Sequence, residues 1–255
     1  MSSRVPTTSD TPDPIATAQR LMRRELPRRF YKVAAAAPHA GGFAVLLDGR
    51  VAKTPARKPL AVAGRDLAEA LAAEWSRQGE HVDPAHMPLT RIVNASLDRV
   101  AGEMAAVRAD VVRYGGTDLI CYRAEGPQSL VAAQDAAWAP LVGWAREALG
   151  ARLKVAIGIV HVAQDEAALA AIDRAIVPLD ALALTALHTA TTLTGSAIIA
   201  LAVLKGRLTA EEAWAAASVD EDWQMRQLGR DEAALCTRAE RWQEMHAAAT
   251  ILGAR

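Results

Sequence analysis

Cysteine is almost missing from this sequence: Cys121 and Cys236 are the only two in 255 residues, and they lie far apart. Two isolated thiols build neither a disulfide framework nor a thiolate metal site, and they fit a reducing compartment. Aromatic residues are scarce too, at 4% against 51% hydrophobic residues, and alanine fills many of the periodic stretches. That balance favours helix over sheet in most of the chain. Net charge is also lacking. The 29 Lys and Arg facing 29 Asp and Glu argue against a protein built mainly to hold nucleic acid.

The familiar catalytic signatures are missing as well. GRVAKT at residues 49–54 has one glycine where a phosphate loop needs two, so nucleotide hydrolysis has no visible seat. H-E-x-x-H, G-x-S-x-G and C-x-x-C do not occur. His81 and His86 flank Asp83, but Pro84 interrupts them, and a turn with exposed imidazoles is expected rather than a metal site. No cofactor, metal or catalytic residue is therefore expected. The opening MSSRVPTTSDTPDPIATAQ has no apolar secretion core, and its acids disfavour a transit peptide. A disordered tail over residues 1–27 and a bacterial-type cytoplasmic location are the expectation.

What the chain does have is a long uncharged run, Leu182 to Leu204, between Asp180 and Lys205-Gly206. Asp180 suits an N-cap and Gly206 a helix end. One helix over this span reaches bilayer length, yet six Thr or Ser hydroxyls dilute it. Thr185, His188, Thr189, Thr192 and Ser196 recur at intervals of three and four, which suits a buried central helix rather than a membrane span. His188 lies on that stripe and is expected to be a hydrogen-bonded structural residue. A general base in a soluble enzyme with a site between the two domains is the alternative, and a deep pocket beside His188 distinguishes it.

Earlier in the chain, Phe30 to Ala35 predicts a first strand. GFAVLLDGRVAKTP predicts a hairpin around Asp48-Gly49, and Leu60 to Val62 a third strand. A helix from Asp66 to Gly79 should close onto this small antiparallel sheet through Trp75. Thr117 to Arg123 looks like a strand returning to the sheet, and Leu153 to Val162 is strand-like around Gly158. Helices are expected at 128–149, 165–176, 209–229 with a Thr209/Glu212 capping box, and 231–252. The fold class is thus α+β: a β-rich N-terminal domain with helices at 28–125, then an all-helical domain at 126–255, with a soft boundary near Gly126.

Charge is unevenly spread. Residues 1–38 hold seven Lys or Arg and three acids, whereas residues 209–244 hold nine acids and four Arg. Within the acidic region Glu221 stands out. On a continuous helix Trp214, Ala217, Ser218, Glu221, Met225 and Leu228 share one side, while Ala216, Val219 and Trp223 share the other. A helix apolar on two faces can spend one on its own core and offer the other to a partner. Alternatively, Glu221 pairs with Arg226 or with an arginine of the final helix, and both faces are buried.

RFYK, GGFAVLLDGRVAKTP, LAAEW, the MPLT to NASLD segment, LTALH, LTGSAIIALAV, LTAEEAW and VDEDWQ follow one another across Phe30 to Met245. In this order they resemble the assembly chaperones that bind the alpha subunit of the ATP synthase catalytic head, a family of mitochondria and alpha-proteobacteria. The resemblance implies a β-rich domain followed by a helical one, no enzymatic activity and no need for nucleotide. It also implies a holding function, in which surface on a free alpha subunit is shielded until the beta subunit covers it. It further implies that an acid within VDEDWQ, one of Asp220, Glu221 and Asp222, serves partner binding. The helical stripe favours Glu221 and places Trp214 and Met225 beside it as further partner-binding residues. Trp75 matches a structurally critical tryptophan. Leu228 departs from the pattern, since an aromatic is expected before that glycine. A monomer without stable membrane insertion is expected.

Overall fold

The computed structural model describes residues 26–229 and 231–254. The expected tail lies outside these residues except for Leu26 and Pro27. Strands Ala34–His39 (β1), Gly42–Leu47 (β2), Arg50–Val51 (β3) and Ala61–Val62 (β4) form an antiparallel sheet in which β2 pairs with each of the others. Asp48 and Gly49 adopt φ of 48° and 78°, the left-handed pair that a two-residue hairpin needs. A second tight turn, at Ala40-Gly41, was not legible, because alanine seldom takes the φ of 44° found there.

The first strand begins at Ala34 and not at Phe30. The amides of Lys32 and Val33 donate to the Asp48 carboxylate at 3.0 and 2.9 Å, which removes them from any ladder. Residues 30–33 therefore run as an irregular lead-in. Tyr31 points its hydroxyl at the Trp75 carbonyl, 2.7 Å away, and sets its ring edge-on to the indole.

Arg65–Ser76 (α1) lies across the sheet with Leu67, Ala68, Leu71 and Ala72 buried. Its N-cap is Gly64, without a side-chain bond, and Asp66 sits in the first turn instead of capping it. Glu74, buried on the same helix, accepts the amides of Leu89 and Thr90 at 2.9 and 2.8 Å. These are orphan donors at the start of Pro88–Ala95 (α2), so a carboxylate of one helix caps another. Glu74→Ala should leave both amides buried without partners, a loss of about 2 kcal/mol. At about 2–4 °C per kcal/mol for a chain of this size, thermal unfolding should show a midpoint lower by roughly 4–8 °C.

α2 continues through a π-helical turn at Ser96–Val100 into Ala101–Gly116 (α3). The expected returning strand is mostly a 3-10 turn, Leu119–Cys121, followed by Tyr122–Arg123 (β5). β5 does not rejoin the first sheet. It pairs in parallel with Ala156–Ile157 (β6), which is all that forms of the strand expected over 153–162. Between them Gln128–Trp144 (α4) runs on through Pro140 and closes with a π-helical turn at Ala145–Leu149. Glu166–Ile176 (α5) follows.

The central run is two helices, Ala181–Thr194 (α6) and Ala197–Leu204 (α7), and not one. Gly195, at φ 67°, turns the chain between them, and polar side chains satisfy the freed carbonyl and amide groups. Thr194 Oγ1 donates to the Ala190 carbonyl at 2.7 Å, and Ser196 Oγ accepts the Ile199 amide at 3.0 Å. Asp118, fully buried, accepts the amides of Ile120 at 3.2 Å and Ile198 at 3.1 Å. One carboxylate thus caps both the 3-10 turn and α7. Asp180 and Gly206 act as expected at the outer ends, the former accepting the Ala183 amide at 2.8 Å. Among the described residues no helix is long and apolar enough to cross a membrane.

Ala210–Ala217 (α8) starts with the expected capping box, Val219–Leu228 (α9) follows, and Glu232–Gly253 (α10) ends the described chain. α3 packs on α5, α6 and α7, and α10 packs on α2, α6, α7 and α8. One contiguous set of buried side chains therefore runs from Tyr31 beside the sheet to Leu252 in the last helix.

Candidate functional site

The helix expected over 209–229 is broken at Ser218, whose φ of -103° and ψ of 13° leave the helical region. The break has a tertiary cause. The buried Trp138 indole donates to the Ala216 carbonyl at 2.7 Å, the acceptor that an unbroken helix would give to the Asp220 amide. The face drawn through Trp214 and Glu221 therefore does not continue straight across Ser218. Even so, both residues meet the same two arginines, Arg238 and Arg241 of α10.

α9 contributes only Val219 to the core and is otherwise held by polar tethers. Asp220 accepts from Gln134 Nε2 at 2.7 Å, the Trp223 indole donates to Ser129 at 3.1 Å, and Asp222 pairs with Arg238 at 2.6 Å. Asp220 and Asp222 are thus turned toward the protein. Glu221 is not: its side chain is 53% exposed, with Arg238 at 3.4 Å and Arg241 at 3.7 Å. The carboxylate is paired with the final helix and still accessible.

Arg238 and Arg241 also stand over the Trp214 ring, at 5.9 and 5.7 Å from its centre. The Trp214 ring centre lies 6.0 Å from that of Trp242, and the Trp242 ring is edge-on to His246. Two shallow hollows flank this cluster. One, of about 420 Å³, is lined by Trp214, Asp222, Leu235 and Trp242. The other, of about 440 Å³, is lined by Glu221, Gln224, Met225 and Leu228 with the two arginines. Leu228 is 86% exposed, and Met225 is half-buried. Tryptophan and arginine beside accessible apolar side chains make the composition that protein interfaces favour. Arg238, Arg241, Trp242 and Gln134 were not singled out by position in the sequence. The i, i+3 spacing of the two arginines opposite an acid triplet was the one available signal.

His188 stands apart from this cluster. Its Nε2 lies 2.8 Å from Asp110 on α3, and half-burial holds the pair between α3 and α6. Hydrogen bonds from Arg113 and then from His188 hold the Asp110 carboxyl below the usual carboxylate range. Trp75 lines a separate groove of about 550 Å³ with Phe30, Tyr31, Asp48 and Lys53. His86 lies 2.9 Å from Asp83 in an exposed turn, and among the described residues no cluster of potential metal ligands is present.

The described residues thus combine a small sheet capped by one helix, a helical half and an accessible Trp–Arg–carboxylate cluster. Solved structures of the chaperone class share this fold. The Atu1473 protein of Agrobacterium tumefaciens, a candidate chaperone, is 46% identical with a TM-score of 0.86, over 96% of this chain and 92% of that one. Atp12 from Paracoccus denitrificans is 41% identical with a TM-score of 0.82, over 89% of this chain and 98% of that one. A single-substitution variant of the Paracoccus protein matches at 40% identity and a TM-score of 0.81, over 89% of this chain and 97% of that one. The family model described as ATP12 chaperone protein matches residues 28–146. The chain belongs to the ATP12 chaperone family.

Proposed function

We propose that this protein is an ATP-independent assembly chaperone of the cytoplasm that binds the free alpha subunit of the ATP synthase catalytic head and shields it until the beta subunit joins. Family membership and the ordered motifs from RFYK to VDEDWQ support the client. The observation that carries the site is Glu221, exposed at the centre of a Trp–Arg cluster on a helix that gives almost nothing to the core. Asp220 and Asp222 hold α9 in place, while Trp214 and Met225 supply apolar contact on either side. In the same proposal Trp75 and His188 are structural. The first clasps α1 to the sheet and lead-in, and the second ties α3 to α6. The units divided near Gly126 act as one holder, since their buried side chains are contiguous.

Holding requires moderate affinity. Binding only the free subunit stabilises it by mass action, and a beta subunit that covers more area then displaces the holder. The test is a pull-down of purified alpha and beta subunits on this protein, with and without nucleotide. Alpha is expected to be retained and beta not, equally in both conditions. Retention of beta alone, or of neither subunit, overturns the reading.

A further inference from the structure

Of the nine large hydrophobic residues exposed among the described residues, four fall in one loop: Val155 at 47%, Ile157 at 71%, Ile159 at 100% and Val160 at 72%. The loop is built to stand out. At its base Lys154 and Gln164 exchange two hydrogen bonds, at 2.8 and 2.9 Å, and Lys154 pairs with Asp165 at 2.5 Å. On the far side Tyr122 Oη lies 3.2 Å from His161 Nδ1. At the bend Gly158 takes φ of 81°, and a Cβ there would meet the Glu125 carboxylate at 2.7 Å. The Gly158 amide donates to the Arg123 carbonyl at 2.8 Å, so the alternation of a parallel ladder turns the N–H and C=O of Ile157 away from β5. Aliphatic side chains and an unpaired strand edge are thus presented together on an anchored finger.

This finger is wired to the acid helix. The Ala124 amide, next to β5, donates to Gln134 Oε1 at 2.7 Å, and the same buried amide group donates through Nε2 to Asp220 at 2.7 Å. The helix bearing Glu221 and the residue that follows β5 are thus held by the two polar atoms of one amide. Four aliphatic side chains offer only a few hundred Å², well short of the about 800 Å² per partner that a stable interface needs. A contact of this size works only as part of a larger surface, and the helix held by the same Gln134 amide is the element the structure ties to it.

We propose that residues 155–160 are a second client contact, which lays Ile157, Ile159 and Val160 against an aliphatic surface of the free alpha subunit. This inference rests on the alpha-subunit reading above. The test is the triple variant Ile157→Ser, Ile159→Ser, Val160→Ser, assayed with purified alpha subunit for capture and for suppression of its aggregation by light scattering. Capture should fall at least tenfold, with the thermal midpoint within about 3 °C of wild type, since exposed side chains away from special features contribute little to stability. If the triple variant does lose stability, Ile159→Lys alone, at the fully exposed tip, decides by the same capture assay. Full capture by these variants, alongside loss by Glu221→Lys, overturns the finger and leaves the alpha-subunit reading standing. Failure of the wild-type protein to retain alpha removes both. A concentration-dependent dimer in light scattering that the triple variant abolishes would make the finger a self-interface and overturn the proposal.

Discussion

Glu221→Lys is expected to abolish capture of the alpha subunit, by tenfold or more, while the protein melts within about 3 °C of wild type. The stability half follows from geometry. Glu221 is 53% exposed and its arginine contacts are 3.4 and 3.7 Å, and exposed pairs of this kind contribute about 0–1 kcal/mol. α9 stays seated, because Arg238 keeps its shorter bond to Asp222 at 2.6 Å. The binding half follows from charge: a lysine beside Arg238 and Arg241 leaves three cations with the single acid Asp222 among them, and the accessible position offers a partner the opposite sign. Neighbouring acids supply the control. Asp220→Lys severs the Gln134 tether and Asp222→Lys the Arg238 tether, so both should lower the melting midpoint, which Glu221→Lys should not. A collapsed midpoint in Glu221→Lys would mean that this carboxylate serves the fold, and the client site would have to lie elsewhere.

The largest stability effect should come from Asp118→Ala. Its carboxylate caps the 3-10 turn and α7 from within the core, and removing it strands the amides of Ile120 and Ile198 where water does not reach. Two buried unpaired donors imply a loss of about 2–4 kcal/mol, or roughly 4–16 °C in the thermal midpoint. The pH dependence is diagnostic. Burial pushes the Asp118 carboxyl up to about 6 from 3.8, against the pull of its hydrogen bonds from Ser196, Ile198, Ile120 and Ala197. A group whose folded value is raised binds its proton more readily in the folded state. Its contribution to stability is full below about pH 4 and is lost as pH rises through 6. The comparison is between wild type and Asp118→Asn, which does not ionise, so that the change belongs to this carboxyl. Wild type should gain relative to the asparagine variant when melts are moved from pH 7 to pH 5. A difference that does not change with pH would show that Asp118 is not buried as described.

Local signals were read correctly where the deciding atoms sit within a few residues of one another. Asp48-Gly49, Asp180, Gly206, the Thr209/Glu212 box and Asp231 are all of this kind, and each turn or helix end is where the sequence places it. Most misses have an opposite cause. The break at Ser218 is set from a distance by Trp138. The break at Gly195 carries a local signal, a glycine followed by the N-cap Ser196, which the uncharged run from Leu182 to Leu204 masks, and Asp118 adds a distant cap. β5 was assigned to the wrong sheet because nothing in Thr117 to Arg123 names its partner strand. The candidate site is legible in part: the sequence points to Glu221, but not to Arg238 and Arg241 gathering it with Trp214. Gln134, the side chain that joins acid helix to finger, reads in sequence as one polar residue among alanines.

The two thiols have unlike fates. Burial pushes Cys121 up to about 12, which keeps it protonated and unreactive, whereas Cys236 is exposed on α10, two residues before Arg238. A maleimide dye added to the unaltered chain would therefore attach at a single place, on the face of α10 turned away from Arg238, since two residues carry the helix through about 200°. It would mark the final helix without any engineered handle and without occupying the Glu221 cluster.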